Sequence, residues 1–300
     1  MLWVILTFLG LEVIMSLILN WLRPEAAGDA NRQYLGGRLL KPFTSGYLLK
    51  KENTFFFTKD SDYEYIKSDN PPHRKIFWLG TDSAGRDYLD RLLGGLRISL
   101  FVGCMAMLVS FILGSILGAI AGFWGGFSDK IITWFVQVLW TFPSVFLALT
   151  ISLLIGKGLP ALILAIGLSQ WTDTARIIRS EVMRWKSELF VEASRSLGYS
   201  KIRQLVIHIF PNIWPVAIIT TVSQFSTAIL LESGLSFLGL GIDPPKPSLG
   251  NLVSENKIFL FGTHMQLVIL PALLLIINTL ALILLSNKLR DKLDVKLSKS

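Results

Sequence analysis

Residues 188–212 read ELFVEASRSLGYSKIRQLVIHIFPN, a polar interruption between long apolar runs. The stretch predicts two short amphipathic helices joined by an elbow. In the first, Leu189, Phe190, Ala193 and Leu197 share one face while Glu188, Glu192 and Arg195 take the other. Gly198 can stop that helix, because it tolerates the left-handed conformation of a C-terminal cap. Ser200 suits the N-cap of the second helix, where Ile202, Leu205, Val206 and Ile209 recur at helical spacing and Pro211 is expected to end the pattern. Taken by itself, such a segment is a structured loop between membrane spans.

The flanking sequence supplies the spans. The chain has 300 residues, 52% of them hydrophobic, and a mean hydropathy of +0.54, which predicts a polytopic membrane protein. Its net charge of +8 is concentrated. Residues 176–204 hold seven Lys/Arg against three Asp/Glu, and residues 288–300 hold five against two. Short basic loops stay on the cytoplasmic side of a membrane, so topology explains these clusters and no nucleic acid is needed. The single cysteine, Cys104, excludes an intrachain disulfide and reads as a small buried hydrophobe. Three scattered histidines give no metal-ligand spacing.

Six spans are expected, with both termini cytoplasmic. The first, 1–22, reads as a retained span rather than a cleaved leader, since no basic residue precedes it. It carries Glu12 near its middle. Residues 23–95, with 12 basic and 10 acidic side chains, form an extracytoplasmic insert with an aromatic patch at Phe55–Phe57 and a turn at Asn70-Pro71-Pro72. It should end in an interfacial amphipathic helix capped by Thr81 or Asp82, with Asp82 and Arg86 paired and Tyr88, Leu89, Leu92 and Leu93 on one face. A core of five spans fills 96–290, roughly at 97–123, 131–155, 159–178, 213–240 and 265–287, before a cytoplasmic tail at 291–300. Gly114, Gly118 and Gly122 should let another helix approach closely. Pro143 should kink the span at 131–155. On that span Thr133, Gln137, Thr141, Ser144, Ala148 and Ser152 fall on a single face, which either packs against a helix or lines a water-facing path.

Several stretches resemble one known family. Glu192-Ala193-Ser194, then Gly198, then His208-Ile209-Phe210-Pro211 is similar to the EAA loop of ABC importer permeases, with Ser194 for the usual third Ala and Phe210 for the usual Leu. LGTDSAGRDYLDRLLGGLRISLFVG resembles the entry to the C-type permease subunits of dipeptide, oligopeptide and nickel importers. WTDTARIIRSEVM, and ILLESGLSFLGLGIDPPKPSLGNL with Glu232, follow in that family's order. The resemblance covers about residues 77–297. It implies an all-α type I importer permease with an outer insert, one that carries peptides or, alternatively, nickel or another small solute.

Such a subunit is no enzyme. It would bind no cofactor, because ATP and magnesium belong to its partners, and the chain has no GxxxxGK[ST] of its own. The implied partners are a second homologous permease subunit, two ATP-binding-cassette ATPases, an extracytoplasmic substrate-binding protein and the lipid bilayer. The implied coupling segment is 186–212, with Leu189, Glu192, Ala193, Ser194, Leu197, Gly198 and Pro211 at the ATPase. Gln137, Thr141, Ser144, Gln224, Thr227 and Glu232 are the expected lining of the translocation pathway. Two other classes are weaker. A self-contained secondary transporter would use Glu12, Asp173 and Glu232 as coupling charges, yet no shared face or inverted repeat supports it. An intramembrane enzyme would need a nucleophile–base pair or metal ligands, and no such constellation is visible.

Overall fold

The computed structural model describes residues 30–51, 54–59 and 73–297. The expected first span with Glu12, and the turn at Asn70-Pro71-Pro72, lie outside the described residues.

The insert is a sheet, which corrects the all-helical expectation. Strands β1 (Tyr34–Leu35), β2 (Thr44–Lys51), β3 (Thr54–Lys59) and β4 (His73–Phe77) stand in the order β1-β3-β2-β4. β2 pairs antiparallel with β3 and β4, and β1 runs parallel to β3. Strand periodicity splits the expected aromatic patch: Phe57 turns into the core and Phe56 turns out. Phe57 joins Tyr34, Leu40 and Phe77 in a small aromatic core, with Phe77 edge-on to Tyr34 at 5.3 Å and to Phe57 at 5.4 Å. The all-helical reading missed this because TFFFTK is a short apolar run, and periodicity alone does not assign such runs.

The sheet is bolted to the helices by charge. Asp82 Oδ1 accepts from the backbone N–H groups of Ala84 and Arg86, and its Oδ2 meets Arg86 Nε at 2.7 Å, so the expected Asp82–Arg86 pair is present. The helix cap is Asp87 rather than Thr81 or Asp82, because its carboxylate accepts from Leu89 N and the helix starts at Tyr88. Thr81 instead ties the loop, accepting from Leu40 N and donating to the Gly37 carbonyl. Lys75 of β4 reaches Asp87 at 2.9 Å and the Tyr34 hydroxyl at 2.9 Å. Burial lowers the Lys75 pKa, but the Asp87 charge and Tyr34 together outweigh it and hold the ammonium above its ordinary value.

Helix α1 (Tyr88–Trp124) absorbs the expected amphipathic helix and the next span into one rod. Its glycines serve as expected. A Cβ at Gly114 would stand 2.5 Å from Thr174 Cβ, at Gly118 it would run into the Ala175 carbonyl, and at Gly122 it would stand 2.7 Å from the Arg179 carbonyl. Small residues at four-residue spacing therefore let α1 and α4 (Leu159–Lys186) touch backbone to backbone.

The expected span at 131–155 is broken. Helices α2 (Gly126–Trp140) and α3 (Ser144–Ile155) meet at a 95° bend around Pro143. Proline removes a backbone donor and clashes with the preceding turn, which accounts for the break. After α4 come α5 (Leu189–Ser196) and α6 (Lys201–Phe237), then α7 (Leu249–Asn256) and α8 (Gln266–Leu297). Pro211 does not end a helix as expected, because α6 runs through it. Residues Gln204–Ile209 wind as a π-helix, with Phe210 N–H bonded to the Leu205 carbonyl. A proline ring at 211 meets the Ile207 carbonyl in a regular α-turn, and the wider winding just before it gives the ring room.

Among the described residues, three helices are long and apolar enough to cross a membrane, α1, α6 and α8, or four if the bent α2–α3 pair is one span. Helix α4 is long enough but falls short in hydropathy, since Ser169-Gln170 and Thr172-Asp173-Thr174 occupy its middle. It lies at the centre of the bundle, with Leu162, Ile166, Ile178 and Val182 almost completely buried.

Candidate coupling elbow and membrane pathway

Helix α5 hangs off the end of α4 through the turn at Ser187-Glu188. Only its Val191 and Ser194 face are buried. Val191 joins Phe123 of α1, Ile178 and Val182 of α4, and Ile209, Ile213 and Ala217 of α6 in one cluster. The Ser194 hydroxyl donates to the Val191 carbonyl at 2.7 Å, so a buried serine here leaves no unsatisfied group. Leu189 and Leu197 are 80% and 73% exposed, and Ala193 is exposed between them. The apolar face read from the sequence thus exists, but none of the described residues covers it.

The elbow itself is a Schellman turn. Gly198 has φ +76°, its N–H bonds to the Arg195 carbonyl and the Tyr199 N–H to the Ser194 carbonyl, both within 3.1 Å. Space around Gly198 is open, so only backbone conformation restricts the residue there. Ser200 caps α6, accepting from Arg203 N at 3.3 Å. Tyr199 stacks on His208 with ring centroids 5.6 Å apart, and Arg203 lies 4.3 Å over the Tyr199 ring. Gln204 Nε2 donates to the Tyr199 carbonyl at 2.7 Å. These contacts weld the turn to the first turns of α6. Glu192 lines a cleft with Met183, Lys186, Val191 and Arg195, and among the described residues it makes no ion pair. Pro211 is exposed on α6, one residue after the π-helical segment and its Phe210 cap.

The expected pathway residues do not share one surface. Gln137 and Thr141 are exposed at the end of α2, and Ser144 is half-buried where α3 begins. Beyond the bend, Ala148 and Ser152 are buried, so the single polar face becomes two faces that point differently. Thr227 is exposed on α6. Gln224 is buried instead: its Oε1 accepts from Ser110 at 3.1 Å and Thr174 at 2.9 Å, and its Nε2 donates to the Gln170 carbonyl at 3.3 Å. Glu232 is 0% exposed, accepting from Ser99 and Ser236 at 2.7 Å each and from Ser233 at 3.3 Å. Ser99 also accepts from Leu249 N at the start of α7. Both residues therefore tie helices together within the chain rather than standing on an open face. A polar residue in a span gives the same sequence signal in either setting. Cys104 is half-buried.

A grouping that sequence periodicity did not bring together lies beside Gln137 and Thr141. The Trp140 indole N–H donates to Asp173 at 2.9 Å, and the Arg176 guanidinium lies 3.9 Å from the centre of the Trp140 ring. Lower on the same helices, Arg179 binds Asp129 through two nitrogens at 2.5 and 2.7 Å. The two ties lie about 16 Å apart along α2 but about 9 Å apart along α4, at 1.5 Å rise per residue, so α2 leans across α4.

Residues 114–299 match the family model for the binding-protein-dependent transport system inner membrane component. The oligopeptide transport system permease protein OppC of Bacillus subtilis (strain 168) is 36% identical over 244 residues, covering 80% of this chain and 79% of that protein. The dipeptide permease protein DppC of the same organism is 35% identical over 232 residues, 77% and 72% of the two chains. The glutathione transport system permease protein GsiD of Pectobacterium atrosepticum is 32% identical over 256 residues, 85% and 82%. Among solved structures, an amino acid ABC transporter aligns with a TM-score of 0.53 at 17% identity, over 68% of this chain and 95% of that one. The MetNI methionine ABC transporter in an inward-facing conformation aligns at 0.50 and 18%, over 67% and 95%. These two likenesses support the fold alone. The family match, the relatives and the order of the motifs agree: the chain belongs to the binding-protein-dependent inner membrane components, as an ABC transporter permease of the OppC and DppC type, a multi-pass, non-catalytic subunit whose ATP is bound by partner ATPases.

Proposed function

We propose that this chain forms half of the translocation pathway of a peptide or glutathione importer, paired with a second homologous permease, two ATPases and an extracytoplasmic binding protein. The cargo class follows the names of its relatives, which transport oligopeptides, dipeptides and glutathione. Six spans cross the membrane in this reading: the segment at 1–22, then α1, the bent α2–α3 pair, α4, α6 and α8. Both termini and the elbow at 186–212 are cytoplasmic, and the sheet of the insert is outside. The basic clusters around the elbow and in the C-terminal tail favour that orientation.

The observation that carries the coupling assignment is the bare apolar face of the elbow, Leu189, Ala193 and Leu197, held out by a glycine-dependent turn and continued by Ile202 and Val206. An uncovered apolar face on a small helix marks a protein contact site. The ATPase takes that face, and Glu192 sits at its edge in a cleft beside Lys186 and Arg195. Because α6 is one rod from Lys201 to Phe237, movement of the elbow is passed directly to the far end of the bundle. There Glu232 links α6 to α1 and α7. Thr141, Gln137 and Thr227 then face the pathway with Ser144 at its edge, while Gln224 and Glu232 keep the moving helices in register.

Reconstitution tests this reading. The complex with its co-encoded partners should take up radiolabelled dialanine or glutathione only with ATP and binding protein, and vanadate should stop it. Uptake of neither cargo would reject the proposed cargo class. Orientation is checked separately: a cysteine at Ser83 should label from outside intact cells and one at Ser200 should not, and the reverse pattern would overturn the topology.

A further inference from the structure

Helix α4 buries most of its residues between Ala161 and Val182, yet the side chains of Asp173 and Arg176 are 48% and 50% exposed. They lie level with the glycine seam, where Gly114 meets Trp171 and Thr174 and Gly118 meets Ala175. In the six-span reading above, where α4 crosses the membrane, charged side chains are not left against acyl chains, so this strip faces water or protein rather than lipid. Trp140, half-exposed at the end of α2, touches both: its indole N–H donates to Asp173, and Arg176 lies across its ring. Arg176 Nη2 stands 3.7 Å from Asp173 Oδ1. Exposed Gln137 and Thr141 flank the group.

We propose that Asp173, Arg176 and Trp140 form a transient binding station for a zwitterionic solute, taking its ammonium on Asp173 and its carboxylate on Arg176. The inference rests on the permease reading above and adds a ligand-binding site to it. With no solute present the two charges neutralise each other, so the pathway holds no unpaired ion. A passing zwitterion lets each exchange one ionic partner for another, and the count of paired charges stays the same. Such an exchange binds weakly, as a conduit requires, since a site that holds its cargo tightly does not release it. A purely cationic or anionic solute would strand one member of the pair, which costs more than the contact returns. The indole face offers the rest of the solute an apolar surface and an additional contact for its ammonium.

The experiment uses the complex with its co-encoded partners in proteoliposomes, in a Cys104→Ser background, with Thr141→Cys as reporter beside Trp140. Labelling of this chain by a small water-soluble thiol reagent is followed without ATP or binding protein. Dialanine and trialanine, at a few times their Kd, should each slow labelling about threefold or more. N-acetyl-dialanine amide, which lacks both charges, should not slow it. Asp173→Asn and Arg176→Gln should each abolish the protection while the cysteine goes on reacting at its unprotected rate. An unreactive Thr141→Cys, no protection by either zwitterion, or equal protection by the neutral amide would overturn the station. ATP-dependent dialanine uptake by the same vesicles reports on the permease reading separately. Uptake without protection removes the station and leaves that reading standing.

Discussion

At the sheet end of the bundle, Arg91 is enclosed among groups of this chain. It is 0% exposed, with Asp82 at 3.3 Å, Glu255 at 2.8 Å and the Pro245 carbonyl at 3.3 Å, while Arg86 braces the same two carboxylates. The network joins the insert, α1 and α7, and Tyr88 beside it donates to the Leu267 carbonyl of α8. At the elbow end the situation is reversed. Leu189, Leu197, Ile202 and Val206 are bare, the Gly198 turn has open space around it, and Glu192 makes no ion pair among the described residues. A buried ion network is intolerant of losing one member, whereas an exposed apolar face contributes nothing until something covers it. One end is thus packed within the chain, and in the function proposed above the other is completed by a partner. Substitutions at the first should be read in stability, and substitutions at the second in coupling.

The largest effect is expected at the sheet end. Arg91→Ala empties a fully buried site and removes one of the two guanidinium groups on Asp82 and Glu255, with Arg86 remaining on both, and should cost about 3 kcal/mol, seen as a lower melting temperature in detergent and reduced membrane abundance. A stable Arg91→Ala protein would mean that the network is not what holds the insert to the helices.

Next comes the glycine seam that both ends share. Gly118→Val places a side chain on the Ala175 carbonyl and should destabilise the α1–α4 pair by about 1–3 kcal/mol, again read by thermal melting. Gly198→Val, by contrast, meets no neighbour and pays only for a left-handed backbone, of order 1 kcal/mol. Its melting temperature should stay near wild type while ATP-dependent uptake falls. Equal destabilisation at Gly118 and Gly198 would erase the contrast between packed seam and open turn.

The same contrast explains which features are legible in the sequence. Local signals were legible: Gly198 and Ser200 terminate helices by backbone rules that need no tertiary context, and the Gly114, Gly118 and Gly122 spacing implies a close neighbour whichever helix it is. Pro143 likewise breaks its span by local chemistry. Features set by long-range packing were not legible. Whether Gln224 or Glu232 faces water or another helix depends on Ser110, Thr174 and Ser99, which are between 50 and 133 residues away in the chain. Pro211 stays inside a helix because of a π-turn that no residue in the segment announces. The strands of the insert were hidden in apolar runs too short to show a period, and Trp140 meets Asp173 only because α2 leans over α4.

The central claim, that the elbow end is completed by an ATPase, is tested most directly by Leu197→Asp. The side chain is 73% exposed, so the change should alter stability by less than about 0.5 kcal/mol and leave membrane abundance at the wild-type level. Co-purification of the ATPases with this chain, measured in the same membranes, should fall at least tenfold, the factor that about 1.4 kcal/mol of lost binding produces. Wild-type recovery of the ATPases with the Leu197→Asp protein would contradict the account.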